Sequence, residues 1–88
     1  DNKNRKKIRT EFNITEEELL FGMTARFTPG KGHEEFLKAA KTISDRFNNV
    51  RFLVVGEPSR GETAYAQKIY ELSKDYKLEN RLIFTGYR

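Results

Sequence analysis

Leu19-Leu20-Phe21-Gly22-Met23-Thr24-Ala25-Arg26-Phe27-Thr28-Pro29-Gly30-Lys31-Gly32 runs from an apolar segment into a loop with two cations and two glycines. Its first part reads as a buried strand from Leu19 to about Arg26. Beyond it, Phe36, Ala40, Ile43 and Phe47 recur at helical spacing, which predicts a helix from about Gly32 to Phe47. The loop therefore opens a helix. A helix start offers unpaired backbone N–H groups and the positive end of the macrodipole, and glycines without Cβ atoms let an anion come close to that backbone. Arg26 and Lys31 add formal positive charge, so the loop is a place to hold a phosphate.

Further strand and helix signals stand along the chain. Phe52-Leu53-Val54-Val55, within a strand from Val50 to Gly56, lacks the alternation of a half-wet strand and predicts burial on both faces, as in a parallel sheet. After a loop punctuated by Pro58 and Gly61, Tyr65, Ile69, Leu72 and Tyr76 line one stripe of a helix from about Thr63 to Tyr76. Leu82-Ile83-Phe84 makes a third short strand stopped by Gly86. Residues 3–12 are read as a short lead-in helix, within a lead-in segment 1–13, with Ile8 and Phe12 as its apolar edge. The predicted fold class is α/β: a partial Rossmann-like β-α-β-α-β parallel sheet preceded by a short N-terminal helix. Right-handed crossovers place both long helices on one face of the sheet, and the opposite face is expected to be left bare. That imbalance, the absence of an initial methionine and an end at Arg88 just past a strand lead us to expect a piece of a larger doubly wound domain.

Composition narrows the function classes. The chain has 88 residues, enough for one domain and a modest core. It has no cysteine, which removes disulfides and thiolate metal sites, and a single histidine. No apolar run approaches the roughly 20 residues needed to cross a bilayer, and a cytoplasmic location is expected. The net charge is +4, with the excess concentrated in Lys3, Arg5, Lys6, Lys7 and Arg9. No aromatic interleaves these charges, so they are read as a solvated helix face, and no nucleic-acid partner is expected.

Taken in order, these elements resemble the donor-binding domain of family 4 glycosyltransferases, retaining enzymes of the two-domain GT-B architecture. Residues Phe21 to Leu37 resemble the family's first strand and the loop after it, where an Arg and a Lys five positions later precede a Gly; those positions are Arg26 and Lys31. Phe52 to Glu57 and Arg81 to Tyr87 resemble the second and third strands with their glycine turns. The resemblance covers nearly the whole chain. It implies that 1–88 is the N-terminal half of the C-terminal, donor-binding domain, and that Arg26 and Lys31 contact the diphosphate of a nucleotide-sugar donor, with no metal or other cofactor required. It further implies a hexosyltransferase-like parent that can attach peripherally to a membrane and meets an acceptor sugar or lipid through another domain. This segment alone would be inactive. Where the family usually has Gly before the Arg, this chain has Ala25, and the family's downstream pair of glutamates eight positions apart would fall beyond Arg88. Glu71 and Glu79 share that spacing, but Glu71 lies inside a predicted helix and Glu79 just past its end, away from the phosphate loop.

Other phosphate motifs do not fit. A Walker A loop would need Gly at position 25 and Ser or Thr at position 32, where Ala25 and Gly32 stand. The dinucleotide fingerprint would need glycine at position 35, where Glu35 stands. Gly30 and Gly32 serve a turn as well as an anion site. Glu57 reads equally as a ribose-binding acid or a solvated loop carboxylate, and Gly86 and Tyr87 as lining for a nucleotide base or as turn residues. His33 is expected to face solvent or a neighbouring loop. The competing reading is a non-enzymatic α/β module that binds a partner protein or a phosphorylated ligand. The first strand is expected to form an exposed edge able to pair with another copy.

Overall fold

Three short apolar runs lie side by side because each carries too little polar side-chain surface to face water, and β-branched and aromatic residues fit a pleated sheet. The computed structural model describes residues 2–86. Its elements are α1 (Asn2–Glu11), β1 (Leu19–Thr24), α2 (His33–Arg46), β2 (Val50–Val55), α3 (Thr63–Asp75) and β3 (Leu82–Phe84). The strands form one sheet in the order β1-β2-β3. Both pairs are parallel, with Phe21 opposite Phe52 and Phe52 opposite Leu82. Every expected element is present, and the limits move by one or two residues. β1 stops at Thr24 instead of continuing to Arg26, which frees Arg26 for the loop.

β2 is central and buried on both faces: Phe52, Leu53 and Val54 are 1%, 5% and 1% exposed. Val50, Phe52 and Val54 pack with Leu37 and Ala40 of α2 and with Ala66 and Ile69 of α3. Burying each of the larger side chains contributes about 1.5–3 kcal/mol. Leu53 points to the other face. There the expectation of a bare surface is corrected, because α1 lies across part of it: Ile8 and Phe12 share a cleft of about 340 Å³ with Leu53, Val55 and Thr85. The exposed apolar side chains on β1 are Leu19 and Phe21, on the edge strand.

Arg9 is corrected in the same way. It is not part of a solvated face but buried, with its guanidinium donating to the carbonyls of Thr15 (2.7 Å) and Glu18 (2.9 Å). It ties α1 to the turn that enters β1. Lys6 and Lys7 do face water, and the side chains of Lys3 and Arg5 lie outside the described residues.

Two helices end in the same device. The Leu78 amide bonds to the Ser73 carbonyl (2.9 Å) and the Lys77 amide to the Lys74 carbonyl (2.9 Å), closing α3 in a Schellman motif with Lys77 at φ 59°. α1 closes likewise through Ile14 and Asn13, the latter also at φ 59°. Asparagine tolerates the left-handed region, whereas lysine is strained there. Lys77→Gly is therefore expected to stabilise the fold by about 0.5–1 kcal/mol, read as a rise in the denaturation midpoint.

Candidate functional site

The carboxyl ends of β1 and β2 face a common opening. A cleft of about 390 Å³ is lined there by Thr24, Ala25, Arg26, Val55, Gly56, Glu57 and Ser59. Open α/β sheets bind ligands at the carboxyl ends of their strands.

The loop between β1 and α2 is shaped by Phe27, which sequence reasoning did not single out. Its ring is 1% exposed, stacked on His33 with centroids 4.8 Å apart and edge-on to Tyr70 at 5.8 Å. With Phe27 anchored in the core, its neighbour Arg26 points outward, 74% exposed. Pro29, Gly30 and Lys31 are exposed as well. Gly30 and Gly32 adopt φ 89° and 95°, the left-handed conformation in which glycine is least strained. Gly32 caps α2 at its N-terminus and has no side chain to occupy the first-turn amides, so that helix end carries no side-chain cap. Glu34 and Glu35 stand in the first turn.

Of the expected site residues, Arg26 lines the cleft, while Gly30, Lys31 and Gly32 form the α2 entrance of the same loop. Lys31 does not line the cleft, and no ion pair holds it among the described residues. Gly86, at the end of β3, bridges to Gly56 of the cleft wall, whose amide donates to the Gly86 carbonyl (3.3 Å). Tyr87 lies outside the described residues. Glu57 is exposed on the cleft rim.

Glu62 was missed. It precedes α3, is 4% exposed, and accepts from Arg26 Nε (2.9 Å) and Nη2 (2.7 Å) on one carboxylate oxygen, Oε2. Its other oxygen accepts from the Ser59 amide (2.8 Å), and the Glu62 amide returns a bond to the Ser59 carbonyl (2.9 Å). The Ser59 amide holds the Glu62 carboxyl below its ordinary pKa. The Arg26 hydrogen bond and charge and the Phe27 amide act in the same direction, against the opposing effect of burial. A legible signal existed: Ser59-Arg60-Gly61-Glu62 has the S-x-x-E spacing of a capping box, in which the Glu reaches back to the Ser amide.

His33 takes the second of its two expected settings, against a neighbouring loop. It does not face solvent: it is 1% exposed between Phe27 and Tyr65, with neither ring nitrogen hydrogen-bonded. Burial lowers its pKa from the ordinary 6.5. The unfolded chain therefore binds the proton first, so His33's contribution is fully present above about pH 6.5 and is lost as pH falls toward the folded-state value. The melting temperature is expected to drop as pH falls below about 6.5, and His33→Phe should flatten that drop.

The fold has counterparts among known proteins. A family model described as Glycosyl transferases group 1 matches residues 4–88. The chain belongs to this family. HepE of Anabaena, solved in complex with UDP and glucose, is similar to this group 1 chain at 26% identity and a TM-score of 0.79, over 93% of this chain and 21% of its own. A glycosyltransferase from Rickettsia africae is 23% identical with a TM-score of 0.81, over 100% and 22% of the two chains. The C-terminal domain of LpcC, a group 1 glycosyl transferase from Francisella tularensis, is 20% identical with a TM-score of 0.76, over 96% and 43%. The chain thus spans about a fifth of the length of the first two proteins. No curated protein matches it significantly in sequence. The α/β sheet flanked by helices is the Rossmann-like fold of these GT-B neighbours. Among the described residues no helix is long and apolar enough to cross a membrane.

Proposed function

We propose that this chain is the N-terminal half of the donor-binding domain of a retaining, family 4 glycosyltransferase, and that it grips the diphosphate of a nucleotide-sugar donor. The observation that carries this reading is the pairing of an outward, anchored Arg26 at a strand-end cleft with an uncapped helix start beside Lys31. Support comes also from HepE, whose structures hold UDP or UDP-glucose. Cleaving the bond between sugar and diphosphate releases a nucleoside diphosphate, and the growing negative charge is what a transition state of this kind needs stabilised. In this reading Arg26 grips phosphate oxygens with a planar fork, Lys31 adds a point charge and the α2 amides add their dipole, without a divalent cation. Gly86, beside Gly56, and Tyr87 would border the base. The transferred group is a hexose, and the acceptor, a sugar or a lipid, is met by another domain. Alone the segment is inactive, since closure of a two-domain cleft assembles the reacting groups. A cytoplasmic location with peripheral membrane attachment, and pairing of the β1 edge with a second copy, belong to the same reading.

Calorimetric titration tests it. UDP or GDP is expected to bind more tightly than the matching nucleoside, and Arg26→Ala or Lys31→Ala should remove the difference in part. Equal binding of nucleotide and nucleoside would overturn the diphosphate reading.

A further inference from the structure

Glu62 is a buried carboxylate bound to an exposed cation, 36 residues apart in sequence. A surface Arg with four rotatable side-chain bonds samples many rotamers, and a ligand that needs one of them must offset the ordering entropy, about 0.5–1.5 kcal/mol per side chain. Here that ordering is done in advance. Arg26 Nε and Nη2 converge on Oε2, while Oε1 is held by the Ser59 amide, so the carboxylate cannot swing with the guanidinium. The anchor is itself rigid, since Glu62 heads α3, and the Ala66 amide bonds back to the Glu62 carbonyl (3.0 Å). One edge of the guanidinium is thereby occupied and the other, with both Nη1 hydrogens and the outer Nη2 hydrogen, is left for a ligand.

Resting on the diphosphate reading above, we propose that Glu62 is a positioning residue. Its carboxylate fixes the Arg26 fork at the rim of the strand-end cleft, so that the outer N–H groups meet a nucleoside diphosphate already oriented. It also ties the loop that opens α2 to the loop that opens α3, so the two walls of the cleft move as one. Glu62 also lowers the net charge beside the phosphate, which acts against binding. Orientation outweighs this loss, because Oε2 takes one edge of the guanidinium and leaves the N–H donors of the other edge for the ligand.

The test is a double-mutant cycle in the longest native form of the protein that carries these 88 residues. UDP and uridine are titrated into the wild type, Glu62→Gln, Arg26→Ala and the double variant. Glu62→Gln keeps the shape and an acceptor for the Ser59 amide. It is expected to weaken UDP about two- to tenfold, to leave uridine unchanged, and to add nothing in the Arg26→Ala background. Unchanged or tighter UDP binding, or a loss that adds in full to that of Arg26→Ala, overturns the positioning role. If Arg26→Ala itself leaves UDP binding intact, the diphosphate reading falls, and this proposal with it. Should the Gln variant not fold, ¹⁵N NMR of the unliganded wild type decides. A dispersed, slowly exchanging Arg26 Nε–H signal is expected, and a solvent-averaged one overturns the role.

Discussion

Gly56→Ala is expected to destabilise the protein by about 3 kcal/mol, among the largest effects of any single methyl group added to this chain. Two causes add. Gly56 sits at φ 144°, a conformation that L-residues rarely adopt, and a Cβ there would lie 2.8 Å from the Ala25 carbonyl oxygen. That contact is with backbone and not with a flexible side-chain tip, so relief requires moving the strand end itself. Ala25 immediately precedes Arg26, and its amide bonds across to the Val55 carbonyl at 3.4 Å. A shift of Ala25 would widen the gap between β1 and β2 and displace the guanidinium from the cleft. Denaturant unfolding measures the first effect and UDP titration the second. A midpoint equal to the wild type would show that the strand ends yield freely. Gly22 makes the internal comparison: a Cβ there meets the Leu53 carbonyl at 3.4 Å and has no positive φ to contend with, so Gly22→Ala should be mild.

Arg26→Ala is expected to weaken UDP by about ten- to a hundredfold, the range of one or two charge-assisted hydrogen bonds at tenfold per 1.4 kcal/mol. Lys31→Ala should act in the same direction with a smaller effect, about three- to tenfold, since an exposed ammonium is well hydrated and more strongly screened. Raising the salt concentration should shrink the Lys31 effect more than the Arg26 effect, because Arg26 is fixed at the cleft rim and Lys31 stands free on the loop. Arg26→Ala also leaves the Glu62 carboxylate without its cation, so thermal unfolding has to accompany the titration. Wild-type UDP affinity in a folded Arg26→Ala protein would remove the guanidinium from the site. Loss of uridine binding as well would point to a collapsed cleft instead of a lost phosphate contact.

The order of elements was legible because each depends on spacing along the chain. The apolar run Phe52 to Val55 announced a doubly buried strand, the helical recurrence of Phe36, Ala40 and Ile43 announced α2, and Gly30 and Gly32 marked the left-handed turn between β1 and α2. The edge position of β1 was expected from the doubly wound order, in which the first strand is central and loses one neighbour when only half of the sheet is present, and β1 does lie at the edge. Arg26 and the α2 entrance were legible as well, since adjacency in sequence keeps them in one loop.

What tertiary structure alone decided is the environment of the polar groups. Arg9 read as one cation among several until the turn at Thr15 and Glu18 folded over it, and His33 could have faced solvent or a neighbouring loop until Phe27 turned inward and Tyr65 of α3 closed on it. Glu62 and Arg26 lie on different crossovers, and only the parallel pairing of β1 with β2 brings the two loops to the same end of the sheet. Periodicity reports which face of an element is apolar. The burial and partners of a charge depend on atoms supplied by segments distant in the chain, so the Glu62 anchor of Arg26 had to come from the fold.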